Sequence, residues 1–233
     1  MEKNEPLKLS SISFKYGINT DVLLDDINLT IKEGSITAIV GLSGVGKTTL
    51  IQILNGTIQH STHKGISGDI MLYGMTFNEL KKTEICKRVG TVFQDPDTQI
   101  IFSNVEDELA FGMENFCVER EEMLQRINKV LDLLGIEDLR DRNPNKLSGG
   151  EKQLVVLGAI LCLNPDIIIL DECMAQVDKK GKERILNVLK TLRIEGKTII
   201  MIEHDYANLS VSDEIYELNS GKLFLKKNFK VVI

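Results

Sequence analysis

The stretch ITAIVGLSGVGKTTLIQILNG, residues 36–56, decides the fold. Its first part, ITAIV, is a continuous apolar run rich in β-branched residues, of the kind that forms a strand buried on both faces. GLSGVGKT, residues 41–48, matches G-x-x-x-x-G-K-[ST], and TTLIQILNG reads as a helix ending at Gly56. A strand, a glycine-rich turn and a helix in this order form the context in which the motif cradles phosphate. The N–H groups from Gly44 to Thr48 would wrap a β-phosphate, Lys47 would neutralise β/γ oxygens, and the Thr48 hydroxyl would ligate Mg²⁺. A chance glycine-rich turn is the bland alternative, and the flanking strand and helix weigh against it.

Outward from that centre, LKLSSISF and VLLDDINLTI alternate apolar and polar positions and predict short antiparallel strands. DIMLYG, RVGTVFQ, DIIILD and KTIIMIEH are further strand candidates. Met123, Ile127, Val130, Leu131 and Leu134 place one apolar face on a helix ending at Gly135. EIYELNSGKLFLKK reads as a hairpin turning at Asn219–Gly221. Strands alternating with helices predict an α/β protein with a parallel sheet core and an N-terminal antiparallel β layer. The expected organisation is one domain over residues 1–233, with a helical subdomain at about 104–163.

The 233 residues are 42% hydrophobic and carry a net charge of -6, against a general nucleic-acid binder, which is usually basic. No apolar run reaches the roughly 18 residues of a membrane span, and the polar MEKNEPLKLS does not read as a signal peptide. Cys86, Cys117, Cys162 and Cys173 lack metal-type spacing and read as reduced thiols. His60 and His63 could pair on a metal, but QHSTHKG has no neighbouring ligand cluster and reads as a solvated loop.

DIIILDE supplies acids to match the phosphate loop. Asp171 ends an apolar run, where it can hold Mg²⁺, and Glu172 follows where the chain leaves the sheet and can polarise an attacking water. Gln94 closes RVGTVFQ and His204 closes KTIIMIEH. Ligands bind at the carboxyl ends of parallel strands, so both are candidates to reach a γ-phosphate, its metal or its water. Ser148 and Glu151 in NKLSGGEKQLVVLG have capping-box spacing, with Gly149 and Gly150 between them. That helix start is a second anion site.

GLSGVGKT, Gln94, LSGGE, the acidic pair at 171–172 and His204, in this order, resemble the nucleotide-binding subunits of ABC transporters. The resemblance runs from about Leu7 to Leu225. It implies a P-loop NTPase fold of ABC type, with ATP contacts at Tyr16, Gly41, Ser43, Gly44, Gly46, Lys47, Thr48 and Thr49. Tyr16 would stack on adenine, although an ordinary strand aromatic is the competing reading. Thr48, Gln94 and Asp171 would serve Mg²⁺; Glu172, His204, Gln94 and Lys47 would be catalytic. In this family two subunits face head to tail. Leu147, Ser148, Gly149, Gly150 and Glu151 would then cap ATP held by the partner, with Asp178 linking the two sites. The chain departs from the family at Cys173-Met174 and Ala175-Gln176-Val177, which puts cross-talk more than hydrolysis in question. Cys173, beside the base, is expected to be alkylated unless ATP protects it.

TVFQDPDTQIIFSNVEDELAFGMEN narrows the resemblance to the ATPases of energy-coupling-factor (ECF) transporters, through Pro96, Asp97, Gln99 and AFGMEN at 110–115. It implies an importer of vitamins or transition-metal ions at the cytoplasmic face of the cell membrane. Its partners would be a second ATPase subunit, identical or related, a transmembrane coupling subunit and a small substrate-binding membrane protein, with no direct nucleic-acid contact. Another ABC transporter class, or a soluble ABC ATPase acting on nucleic acid or ribosomes, is the alternative. The interval between the two anion motifs carries no long heptad insertion of the DNA-acting kind. Lys226, Lys227 and Lys230 read as a solubilising end, or as a contact with anionic lipid.

Overall fold

A computed structural model describes residues 5–17, 20–61 and 65–226. The alternating N-terminal segments form β1 (Leu7–Phe14) and β2 (Leu24–Ile31), paired antiparallel with Leu7 opposite Ile31. Leu9 and Ile12 are three apart and would face opposite sides of a regular strand. An irregularity in register between them brings both inside. The apolar run is β3 (Ile36–Val40), buried at every position, and the phosphate-loop motif leads into α1 (Lys47–Leu54).

Next come β4 (Ile66–Leu72) and β5 (Met75–Thr76), which complete a four-stranded antiparallel sheet in the order β2-β1-β4-β5. DIMLYG therefore belongs to the antiparallel layer and not to the parallel core. Its burial explains why: Ile66, Ile70 and Leu72 are buried, whereas the residues between them are not. Tyr73 and Gly74 form the turn into β5.

The chain continues through α2 (Lys82–Arg88), β6 (Val89–Val92), α3 (Val105–Asn115), α4 (Arg120–Leu134), α5 (Gly149–Cys162), β7 (Ile167–Asp171), α6 (Lys179–Ile194), β8 (Thr198–Ile202), β9 (Glu214–Asn219) and β10 (Lys222–Leu225). A six-stranded sheet has the order β10-β9-β3-β8-β7-β6. All its pairs are parallel except the terminal hairpin β9–β10, which turns through Ser220 and Gly221 as the sequence predicts. The α6 helix is an element the sequence reading lacks. Its buried Ile185, Val188, Leu189 and Leu192 recur at i, i+3, i+4 and i+7.

Period-two alternation sorts the central strands onto two apolar cores. Ile168, Leu170, Ile199 and Met201 pack with the buried faces of α3, α4, α5 and α6. Ile167, Ile169, Ile200 and Ile202 pack with α1 and the antiparallel sheet. Fully burying each such side chain contributes about 1.5–3 kcal/mol. The sheet, held from both sides, presents the carboxyl ends of β3, β7 and β8 as a fixed edge. Met123 is half-buried beside the fully buried α4 stripe, and Gly135 ends that helix. No helix among the described residues is long and apolar enough to cross a membrane. His63, Lys227 and Lys230 lie outside the described residues; Lys226 pairs with Glu217 and His60 Nε2 lies 2.7 Å from the Gly68 carbonyl.

Candidate functional site

The phosphate loop is shaped by glycine at two points. Gly46 immediately precedes α1 with φ 105°, a conformation costly for other residues. A side chain at Gly41 would place its Cβ 2.5 Å from the Leu218 carbonyl oxygen. The loop therefore leaves β3 close against β9, and Lys47 is buried at the first position of α1. The Lys47 ammonium donates to the carbonyls of Gly41 (3.0 Å) and Leu42 (2.8 Å) and lies 3.6 Å from Glu172 Oε1.

Asp171 is the last residue of β7 and is 7% exposed. Burial, and secondarily the Glu172 charge, push its carboxyl up to about 6, with Lys47 and His204 opposing. Glu172 leaves the strand with φ 47°, a strained region for a residue with a side chain, and its N–H donates to the Ile202 carbonyl at 3.1 Å. Three groups converge on its carboxylate: His204 Nε2 at 2.5 Å, the Gln94 amide donating at 3.3 Å, and Lys47.

Gln94 and His204 lie two residues beyond their strands rather than closing them. After Val92, the side chain of Gln99 takes the place of a strand partner, accepting from Phe93 N–H (2.6 Å) and donating to the Thr91 carbonyl (3.0 Å). Beyond Ile202, Asp205 caps a 3-10 turn over Tyr206–Val211. Both departures put a polar side chain past the sheet edge, where it reaches Glu172.

Tyr16, Ser43, Gly44, Gly46, Thr48 and Glu172 line one cleft of about 600 Å³, together with Lys47, Thr49 and Gln94. Tyr16 is 61% exposed, edge-on to Phe14 at 4.9 Å, and its hydroxyl bonds the Thr49 hydroxyl at 2.8 Å. Val22, also exposed, lines the same end and was missed in the sequence. Its signal is an apolar residue just ahead of a strand that does not bury it.

A second cleft of about 570 Å³ holds Ser148, Gly149, Gly150, Glu151 and Asp178, and shares no lining residue with the first. The capping box is formed: Glu151 N–H donates to Ser148 Oγ (3.3 Å), and Ser148 N–H donates to the Glu151 carboxylate (2.8 Å). The Ser148 hydroxyl also donates to that carboxylate at 2.7 Å, and these bonds hold it below its usual range. Leu147 packs against the apolar core instead of lining the cleft. Asp178 caps α6, accepting from Gly181 N–H at 2.8 Å. Gln176, Lys180 and Arg184 join this cleft and were not anticipated; an amphipathic helix after Asp178 would have brought the two cations in.

The thiol of Cys173 does not meet its expectation. It is 3% exposed, and burial pushes it far above an ordinary thiol, so little of it is accessible for a ligand to protect.

The phosphate loop and the capped start of α5 thus lie in two separate clefts of one α/β cassette. The chain belongs to the ABC transporter family, whose profile matches residues 24–175. It is 38% identical over 224 residues to energy-coupling factor transporter ATP-binding protein EcfA1 of Lactobacillus acidophilus, spanning 96% of this chain and 78% of that protein. It is similar in structure to cbiO1 from Clostridium perfringens, part of the ABC transporter complex cbiONQ (TM-score 0.84, 32% identity, 96% of this chain and 88% of that one). A dimeric bacterial ABC transporter cassette, MJ0796, is also similar (TM-score 0.83, 27% identity, 96% and 100%). The chain is thus an ATP-binding domain of ABC transporter type, an ATPase coupled to transport.

Proposed function

We propose that this chain is the ATP-hydrolysing subunit of an ECF-type importer of vitamins or transition-metal ions, acting at the cytoplasmic face of the cell membrane. The observation that carries hydrolysis is the Glu172 carboxylate, held by His204, Gln94 and Lys47 beside the phosphate loop. The similarity to EcfA1 and cbiO1 supports the ECF part. Tyr16 stacks on the adenine, and the backbone of Gly41, Ser43, Gly44 and Gly46, with Lys47, Thr48 and Thr49, holds the phosphates. Thr48, Asp171 and Gln94 are the residues that would hold Mg²⁺. A hydroxyl, a carboxylate and an amide oxygen are the hard donors this ion takes, and a cation would offset the charge of the buried Asp171. Held by these residues, Mg²⁺ would supply positive charge against the phosphates of ATP.

Glu172 takes the proton of the attacking water and His204 fixes the geometry of attack. The water oxygen bonds to the γ-phosphorus as its bond to the bridging oxygen breaks, and ADP and inorganic phosphate leave. Lys47 and the loop N–H groups stabilise the developing charge. The second cleft receives the ATP of a second ATPase subunit, identical or related, through Ser148, Gly149, Gly150 and Glu151, positioned by Leu147. Closure of the pair is the power stroke, and Asp178 transmits it between sites. We further assign residues 1–233 to one domain whose helical part, about 104–163, meets the membrane partners. An apolar groove of about 250 Å³ beside Ile101, Phe111, Ile160 and Leu163 suits a helix of the coupling subunit. A small substrate-binding membrane protein completes the complex.

The test is affinity purification of the full chain from detergent-solubilised membranes, with mass spectrometry of what co-purifies. A coupling subunit with a small substrate-binding membrane protein is expected. A conventional permease pair would remove the ECF assignment, and only ribosomes or DNA would remove transport.

A further inference from the structure

Glu203 is a buried carboxylate outside the roles assigned above. It is 5% exposed, and its Oε1 has no hydrogen-bond partner. Carboxylates are rarely buried without a partner, and an unpaired buried oxygen destabilises the fold. An apolar residue would fill this position without that cost, so stability alone does not account for the acid.

Its position does. Glu203 N–H donates to the Ile39 carbonyl at 3.3 Å, extending the pairing of β8 with β3 by one residue. The chain then turns through His204 and Asp205. The carboxyl of Glu203 spans that turn: its Oε2 accepts from the amide of Asn208 at 3.2 Å. Asn208 is itself 3% exposed, and its N–H donates to the Asp205 carbonyl at 3.0 Å. Glu203 thus grips the chain on the far side of His204. The His204 side chain is 47% exposed, yet its Nε2 lies 2.5 Å from Glu172 Oε1. A half-exposed ring is not held by packing walls, so its aim comes from the backbone turn beneath it.

We propose that Glu203 is a positioning residue for ATP hydrolysis: by holding Asn208, whose N–H donates to the Asp205 carbonyl, it fixes the turn that aims His204 at Glu172. This rests on the role given to His204 above.

The experiment compares Glu203→Ala, Glu203→Gln, His204→Ala and the double variant Glu203→Ala/His204→Ala in the full chain with its co-purifying subunits. Turnover, KM, ATP binding by titration and thermal melting are read for each. Glu203→Ala is expected to lower kcat about tenfold or more while ATP affinity stays within about twofold, because small displacements of a reacting group cost rate before binding. Glu203→Gln, whose carbonyl oxygen still accepts from Asn208, recovers most of that rate. In the His204→Ala background, Glu203→Ala costs less than about a further twofold, as expected for two residues acting as one unit. Melting falls in Glu203→Ala, because the buried Asn208 amide loses its acceptor, and stays closer to wild type in Glu203→Gln, which keeps one. Wild-type turnover in Glu203→Ala, no recovery in Glu203→Gln, or full additivity with His204→Ala would each overturn the proposal. Wild-type turnover in His204→Ala alone would instead locate the error in the underlying role of His204.

Discussion

Replacing Asp171 by Asn separates what the fold wants at the end of β7 from what the chemistry wants. The carboxyl is raised from 3.8 to about 6, first by burial and then by Glu172. A carboxyl whose folded value lies above its unfolded one binds a proton more readily in the folded chain. Its contribution to stability is therefore full below about 3.8 and is lost as the pH rises to about 6. Above that, the chain carries a constant penalty for a buried anion. At about 1.36 kcal/mol per tenfold change in acidity, the penalty is about 3 kcal/mol. Asp171→Asn keeps the shape and removes the charge, although burying the amide takes back part of the gain. Without nucleotide or divalent cation, the variant should be more stable at pH 7.5 by about 1–3 kcal/mol, or roughly 3–9 °C in Tm for a chain of this size. Urea unfolding from pH 3.5 to 8 reads the effect, and the two chains should converge below pH 4. With Mg·ATP the order shifts, because the wild type gains more from the ligand. An Asn variant less stable at pH 7.5, or an advantage that does not change with pH, refutes the reasoning.

Glu172→Gln should bind ATP with near-native affinity and hydrolyse it about 10²- to 10⁴-fold more slowly; wild-type phosphate release would take Glu172 out of the base role. Gly41→Ala forces a methyl against the Leu218 carbonyl and should cost about 1–3 kcal/mol along with nucleotide affinity. Gly44→Ala, with open space around it but φ 80°, should cost about 1–2 kcal/mol through the backbone alone. A Gly41→Ala midpoint equal to that of the wild type would count against the contact. Iodoacetamide should label exposed Cys86 and Cys117 in the native chain and spare buried Cys162 and Cys173, with or without ATP; peptide mapping that finds nucleotide-dependent labelling of Cys173 would contradict its burial.

Motif and periodicity reached the parts of the site that are local in the chain. The phosphate loop, the capping box at Ser148 and the acidic end of β7 are each written in a few consecutive residues. Sheet membership was less legible. DIMLYG has the composition of a core strand, and only its pairing with β1, some sixty residues away in sequence, assigns it to the antiparallel layer. Helix α6 was legible in principle, since Asp178 is an N-cap followed by apolar residues at helical spacing. Reading Asp178 for its role between subunits hid its local one. Glu203 and Asn208 had no sequence signal, because one residue beside His204 in an apolar strand looks like any polar strand end. Only burial and the unpaired oxygen set Glu203 apart.

The two clefts share no residue, yet a short chain of contacts joins them. Gln94 reaches Glu172 in the first cleft. The carbonyl of its neighbour Phe93 accepts from the Gln153 amide at 3.0 Å, and Gln153 lies in the first turns of α5, whose start forms the second cleft. Lys152 and Asp97 add an ion pair at 2.6 Å on the surface. These links differ in weight. Asp97 is 61% exposed, so its pair is worth about 0–1 kcal/mol. Gln153 is 1% exposed, and a Phe93 carbonyl that lost its amide would be left unpaired at a cost of about 1–3 kcal/mol. Of the contacts between the clefts, the buried Gln153 amide thus carries more weight than the visible salt bridge.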